Sequence, residues 1–140
     1  GNLINSIAVN RFIMSSLSNR IKIKNKTGRD DLGDVLAISS GISQGKIGRF
    51  PEVTSFCEKL AVEMGCRYAV NVQCRLVEGV PYVFEINPRF SGTSFMRAMV
   101  GYNEPDILIK KHIFGIIPEP TFEYRSGVIL RSLKETLLVK

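Results

Sequence analysis

The sequence predicts an α+β fold, an antiparallel sheet with helices packed on one face. Residues 68–77 and 81–87 alternate side-chain character on either side of Glu78-Gly79, as two strands of a hairpin do. Residues 51–65 repeat apolar side chains at helical spacing. Two further helical segments, 91–100 and 103–114, follow the hairpin, and a glycine stands just beyond each. Strands with a hairpin among them, then helices, describe an antiparallel sheet covered on one side.

Taken in order, Leu3 to Ile13 is rich in Ile and Val and reads as a strand leaving a turn at Gly1-Asn2. Ser15 to Gly33 is polar, and residues 14–38 read as an insertion or mobile connection, with room for a short hairpin. Ile21 and Ile23 alternate there with Lys22 and Lys24, as on a strand, and Val35 to Ile38 suggests another. Ser39 to Gly45 is a glycine-punctuated loop. In Pro51 to Gly65, Val53, Phe56, Cys57, Leu60, Ala61 and Met64 form one apolar stripe, with Pro51 suited to the first turn and Gly65 to the C-terminal cap. Ser91 can cap the next helix, and Pro105 fits the first turn of the last. Residues 115–126 form a Pro-rich loop, and Gly127 to Lys140 a closing edge strand containing Arg131.

The 140 residues suit one domain with one core, and 44% hydrophobic with 23% charged residues is a globular balance that excludes a disordered chain. No apolar run approaches the ~20 residues of a membrane helix, and no signal-peptide pattern opens the chain. Three cysteines without CxxC spacing argue against a disulfide framework or zinc site and fit reduced thiols in a cytoplasmic protein. His112 is the one histidine, so a His-based dyad is not expected. A net charge of +6 attracts anions, nucleotides and nucleic acids alike. It is densest in Arg20 to Arg29, but without interleaved aromatics that stretch reads as a solvated strand face rather than a nucleic-acid patch.

The hairpin carries the chemistry. Val70, Val72, Cys74 and Leu76 share one face of its first strand, opposite Asn71, Gln73 and Arg75. In the second, Tyr82, Phe84 and Ile86 oppose Val83, Glu85 and Asn87. For the polar faces to coincide the loop must hold an odd number of residues, so Val77-Glu78-Gly79 with a left-handed Gly79 is expected, with or without a bulge; a two-residue turn would set Gln73 on the wrong face from Glu85. Gln73, Glu85 and Asn87 then converge as oxygen donors, which suit magnesium held by few carboxylates with phosphates and water. Arg89 can fork onto a phosphate, and the helix start at Ser91 to Thr93 would add backbone N–H groups.

Phe84 to Ser94, FEINPRFSGTS, resembles the metal-binding signature of ATP-grasp enzymes. Together with the upstream NVQ, Asn71 to Gln73, it is similar to the large subunit of carbamoyl phosphate synthetase and its relatives. The likeness runs on to HIFG at His112 to Gly115 and includes the opening strand and Gly41-Ile42-Ser43. It implies the C-terminal subdomain of an ATP-grasp domain, binding ATP and Mg2+ or Mn2+. Glu85 would bridge two ions, Asn87 would ligate one and Gln73 the other. Arg89 would steady the transferring phosphoryl group. Gly41, Ile42 and Ser43 match a loop along the nucleotide, although many synthetases have His where Ser43 stands, and Arg11 matches a phosphate-contacting arginine.

The implied reaction activates a small-molecule carboxylate as its acyl phosphate, which an amine or similar nucleophile then attacks. Such chemistry needs positioning and charge neutralisation more than a protein base. The lysines, glycine-rich lid and hinge of the preceding half are not in this sequence, so that half is the expected partner and the chain alone is expected to be inactive. A degenerate ATP-grasp half with an assembly or regulatory role, and a basic nucleic-acid-binding module, are the alternatives. Oligomeric state is left open.

Overall fold

A computed structural model of the chain describes residues 2–11, 20–28, 30, 33–39 and 44–131. Every strand pairing among these residues is antiparallel, and helices join the strands in an α+β arrangement. Strands β1 (Ala8–Arg11), β4 (Gly45–Gly48) and β7 (Gly127–Ile129) form one sheet with β4 in the middle. Among the described residues, strands β2 (Arg20–Lys24) and β3 (Val35–Ser39) pair only with each other, and all but Ser39 fall within the segment expected to be an insertion. Strands β5 (Asn71–Val77) and β6 (Val80–Asn87) make a second separate hairpin. Among the described residues the sheet thus divides into three; β7 starts at Gly127 as expected and lies at an edge but ends at Ile129, and residues 132–140 of the expected strand lie outside the described residues.

Backbone contact explains the glycine that opens β4. A Cβ on Gly45 would lie 2.0 Å from the carbonyl oxygen of Asn10 on the paired strand, so no larger residue fits without moving the ladder.

Helix α1 (Pro51–Glu63) starts at its proline and stops where Gly65 turns left-handed at φ 66°. There the N–H of Gly65 donates to Val62 O at 3.0 Å and that of Cys66 to Ala61 O at 3.0 Å, which satisfies the last carbonyls. Helix α2 (Ser94–Met99) begins later than the sequence suggested. The Ser91 hydroxyl accepts from the N–H of Thr93 at 3.1 Å, closing a turn ahead of the helix rather than capping it. Helix α3 (Glu104–His112) is capped by Asn103, whose side chain accepts from the N–H of Asp106 at 3.3 Å. Acids in its first turn and Lys110, Lys111 and His112 in its last complement its dipole. His112 stacks on Tyr68 with ring centroids 5.1 Å apart.

The core is small. Ile47 and Ile129 from the three-stranded sheet pack on Met96 and Val100 from the α2 region, with Ile7 and Val9 against them. Of the apolar residues near the signature, only Met96 is fully buried; Phe90, Phe95 and Met99 are exposed, although apolar residues there would be read as core before ligand contacts. Helical geometry gives the reason. Met96 and Val100 lie one turn apart on the sheet-facing side, and Phe95 and Met99 one turn apart on the neighbouring side, which nothing among the described residues covers. A second cluster fastens the N-terminal segment. Tyr102 packs on Phe122 and Tyr124 at 5.2 and 5.3 Å, while the Tyr102 hydroxyl donates to Asn5 O and the Tyr124 hydroxyl to Ser6 O, each at 2.7 Å. No helix among the described residues is long and apolar enough to cross a membrane.

Candidate active site

The hairpin's polar face is built by a device other than the expected one. Val77 pairs directly with Val80, so the loop is only Glu78-Gly79, and both residues have positive φ, 50° and 80°. That is the twist a two-residue hairpin turn demands. Taken alone, such a turn puts Gln73 out of phase with Glu85. A bulge between Gln73 and Cys74 restores the phase: Cys74 pairs with Val83 but Gln73 pairs with Glu85, leaving Phe84 as the additional residue on β6. The three-residue loop is therefore corrected to a two-residue turn plus a bulge. The same shift moves Tyr82, expected on the apolar face, opposite Arg75 and onto the side that carries Gln73 and Glu85.

Asn71 pairs with Asn87 two residues further on, so these two carboxamides share the face with Gln73 and Glu85. Asn71 is buried, Gln73 and Asn87 are half-buried, and Glu85 is exposed. The Asn87 carboxamide Nδ2 donates to Glu85 Oε1 at 2.7 Å, which puts these two side chains within reach of one small ion. Among the described residues no three His, Cys, Asp or Glu side chains cluster as a metal site. A cation on this face would have Glu85 as its one carboxylate, with carboxamide oxygens beside it. That hard, oxygen-only set suits Mg2+ or Mn2+ completed by phosphate and water, and does not suit zinc.

Arg89 follows in a tight turn, its N–H donating to Asn87 O at 2.8 Å and its Nη1 to Phe90 O at 2.8 Å. The Ser91 and Thr93 hydroxyls share a hydrogen bond of 2.8 Å. Helix α2 is six residues long, and the N–H groups of Thr93 and Ser94 bond to Ser91 itself, so the expected N-terminal anion site is not formed there. Arg131 donates its N–H to Gln44 Oε1 at 3.4 Å and Nη1 to Gly92 O at 3.2 Å, tying β4 to this turn. Gly41, Ile42 and Ser43 lie outside the described residues. Arg11 ends β1, exposed.

A cavity of about 590 Å3 opens between the segment before β1, α1, β5 and α3. Gln73, Arg89 and Arg11 line it, but Glu85 and Asn87 do not. The structure thus brings three of the expected residues to one cavity and places the acid and its amide neighbour outside the wall. Cys57 and Cys74 also line it. Burial, with Cys74 beside it, pushes the Cys57 thiol up to about 11, so it stays protonated and unreactive at neutral pH.

From the sequence, Arg97 could either reach a substrate carboxylate or, the favoured reading, hold a surface salt bridge. It is instead buried, with Nη1 2.6 Å from Glu104 Oε1, and Ser94 Oγ donates to Glu104 Oε2 at 3.1 Å. The Nε–H of Arg97 is buried with no hydrogen-bond partner, an omission worth about 1–3 kcal/mol. The Arg97–Glu104 spacing crosses a helix break at Gly101, which hides the pair from helical periodicity.

The antiparallel hairpin, its carboxylate and carboxamides, and the arginine turn behind it belong to a chain of the ATP-grasp class, the fold type of ATP-dependent ligases. The family model described as ATP-grasp in the biosynthetic pathway with Ter operon matches residues 38–135, and the chain belongs to that family. No curated protein and no solved structure matches the chain.

Proposed function

We propose that this chain supplies the ATP- and metal-binding face of a carboxylate–amine ligase that works through an acyl phosphate, in the manner of the carbamoyl phosphate synthetase large subunit. The observation that carries the proposal is the register across the bulge, Gln73 opposite Glu85 and Asn71 opposite Asn87. Glu85 and Asn87 would hold the divalent ion with Gln73 beside them, and the ion's contribution is to neutralise phosphate charge as it develops. Turning the Asn87 carboxamide over would present its oxygen where its nitrogen now meets Glu85. Arg89, on the cavity wall, would orient the transferring phosphoryl group toward a carboxylate held inside. The amine would then displace phosphate from the acyl phosphate. Membership of the ATP-grasp family supports this reading, as do the oxygen-only donor set and the cation next to it.

Calorimetric titration of Mg·ATP into the chain tests it. Saturable binding is expected, with Glu85→Ala weakening it at least tenfold, about 1.4 kcal/mol, while the far-UV spectrum is unchanged. Equal affinity in the two proteins would remove Glu85 from the site.

A further inference from the structure

All three cysteines of the chain line the cavity beside the proposed ATP face. Cys57 comes from α1 and Cys74 from β5, and the Cys57 thiol donates a hydrogen bond to the Cys74 sulfur. Both residues are half-buried and both line the cavity, so a small solute reaches them from that side. Cys66 stands beyond the end of α1, its N–H donating to Ala61 O at 3.0 Å. Cys74 is also where the register of β5 shifts: it pairs with Val83 while its neighbour Gln73 pairs with Glu85. A disulfide brings its sulfurs to about 2.05 Å, closer than a hydrogen bond allows. A bond that pulls Cys74 toward α1 therefore acts on the bulge that presents Gln73.

We propose that Cys57 and Cys74 form a redox pair, a site of reversible oxidation by hydroperoxides that closes a disulfide between α1 and β5. The bond itself does not depend on the ligase reading; its effect on nucleotide binding rests on that reading. The order of events follows from the thiols. Burial, and then Cys74 beside it, pushes Cys57 up to about 11; burial raises Cys74 as well, but the hydrogen bond from Cys57 pulls it back. Cys74 is thus the first to lose its proton, and its thiolate is the nucleophile. It attacks one oxygen of the hydroperoxide and the O–O bond breaks. Cys74 becomes a sulfenic acid, and the departing hydroxide takes up the proton that Cys74 released. The Cys57 sulfur then attacks the Cys74 sulfur, the S–O bond breaks, and the Cys57 proton leaves with the hydroxide as water. Two thiols and one hydrogen peroxide give one disulfide and two waters. With both thiols raised, the reaction is slow at neutral pH and quickens as pH rises.

The test treats the 140-residue chain with hydrogen peroxide, alkylates the remaining thiols and maps its peptides without reduction. A linked Cys57–Cys74 peptide is expected, with Cys66 carrying the alkyl group. Cys66→Ser should form the same bond, and Cys57→Ser should not. Mg·ATP affinity is expected to fall several-fold in the oxidised chain. Dithiothreitol, which reduces a disulfide but not methionine sulfoxide, should restore it. Bonds that include Cys66, links between chains, or Cys57 and Cys74 both still open to alkylation would overturn the pair. A Cys57–Cys74 bond with unchanged Mg·ATP affinity would keep the pair and remove its hold on the hairpin. The bond forming in a chain whose reduced form does not bind Mg·ATP would keep the pair and remove the ligase reading.

Discussion

Glu85 and Asn87 are side chains whose relation to each other is fixed by their positions in the chain. Both are oxygen donors two residues apart on a strand, so strand geometry alone puts them on one side. Arg97 is the opposite case. Its environment depends on Glu104, beyond a glycine-terminated helix, and no local pattern reports burial across such a break. Cys57 gives a pH prediction at this scale. Its thiol is raised from 9.0 to about 11, chiefly by burial and then by Cys74. The folded state therefore holds a proton that the unfolded chain releases. The associated stability is fully present below pH 9.0 and is lost as pH rises through about 11. Denaturation midpoints followed across that range should fall, and Cys57→Ser, which does not titrate, should flatten the decline.

At the level of elements, the helices were the most legible. Pro51 and Gly65 bound α1 within two residues of expectation because both act through local backbone geometry, a fixed φ at one end and a left-handed one at the other. The hairpin's outcome was readable but its means were not. Matching the polar faces demanded a phase correction, and sequence alone does not say whether the turn or a bulge supplies it. Phe84 is that correction. Deleting Phe84 should remove the bulge and leave a regular ladder in which the Cys74–Val83 pair is followed directly by Gln73–Glu85, so that Gln73 and Glu85 stay on one face. Cross-strand Hα contacts between Gln73 and Glu85 should persist along with the turn contacts between Val77 and Val80, and Mg·ATP affinity should change by no more than a few-fold. Loss of those contacts while the turn contacts remain would mean that Phe84 is not the residue that corrects the phase.

Across the whole molecule, the α+β class and antiparallel pairing followed from the order of patterned segments, whereas the division into three sheets did not. Which hairpins join is decided by long-range pairing, such as β1 with β4 and β4 with β7, that periodicity does not encode. Much apolar surface is left over, with Phe84 68% and Phe95 75% exposed. The N-terminal segment is held less by apolar burial than by tyrosine hydroxyls reaching its backbone. Tyr102→Phe keeps the ring stack but removes the donor to Asn5 O, and should lower unfolding free energy by about 1 kcal/mol in a urea titration. It should also speed amide exchange at Ser6 and Ile7, a readout that a general loss of stability would spread evenly over the fold.

The proposed function depends most on one face of one hairpin meeting a divalent ion together with nucleotide. Substoichiometric Mn2+ added with ATP to the 15N-labelled chain broadens the resonances nearest the bound ion. Gln73, Glu85 and Asn87 are expected to broaden first, and Glu85→Ala to abolish the effect. Broadening centred elsewhere, or unchanged by Glu85→Ala, would contradict the proposed function.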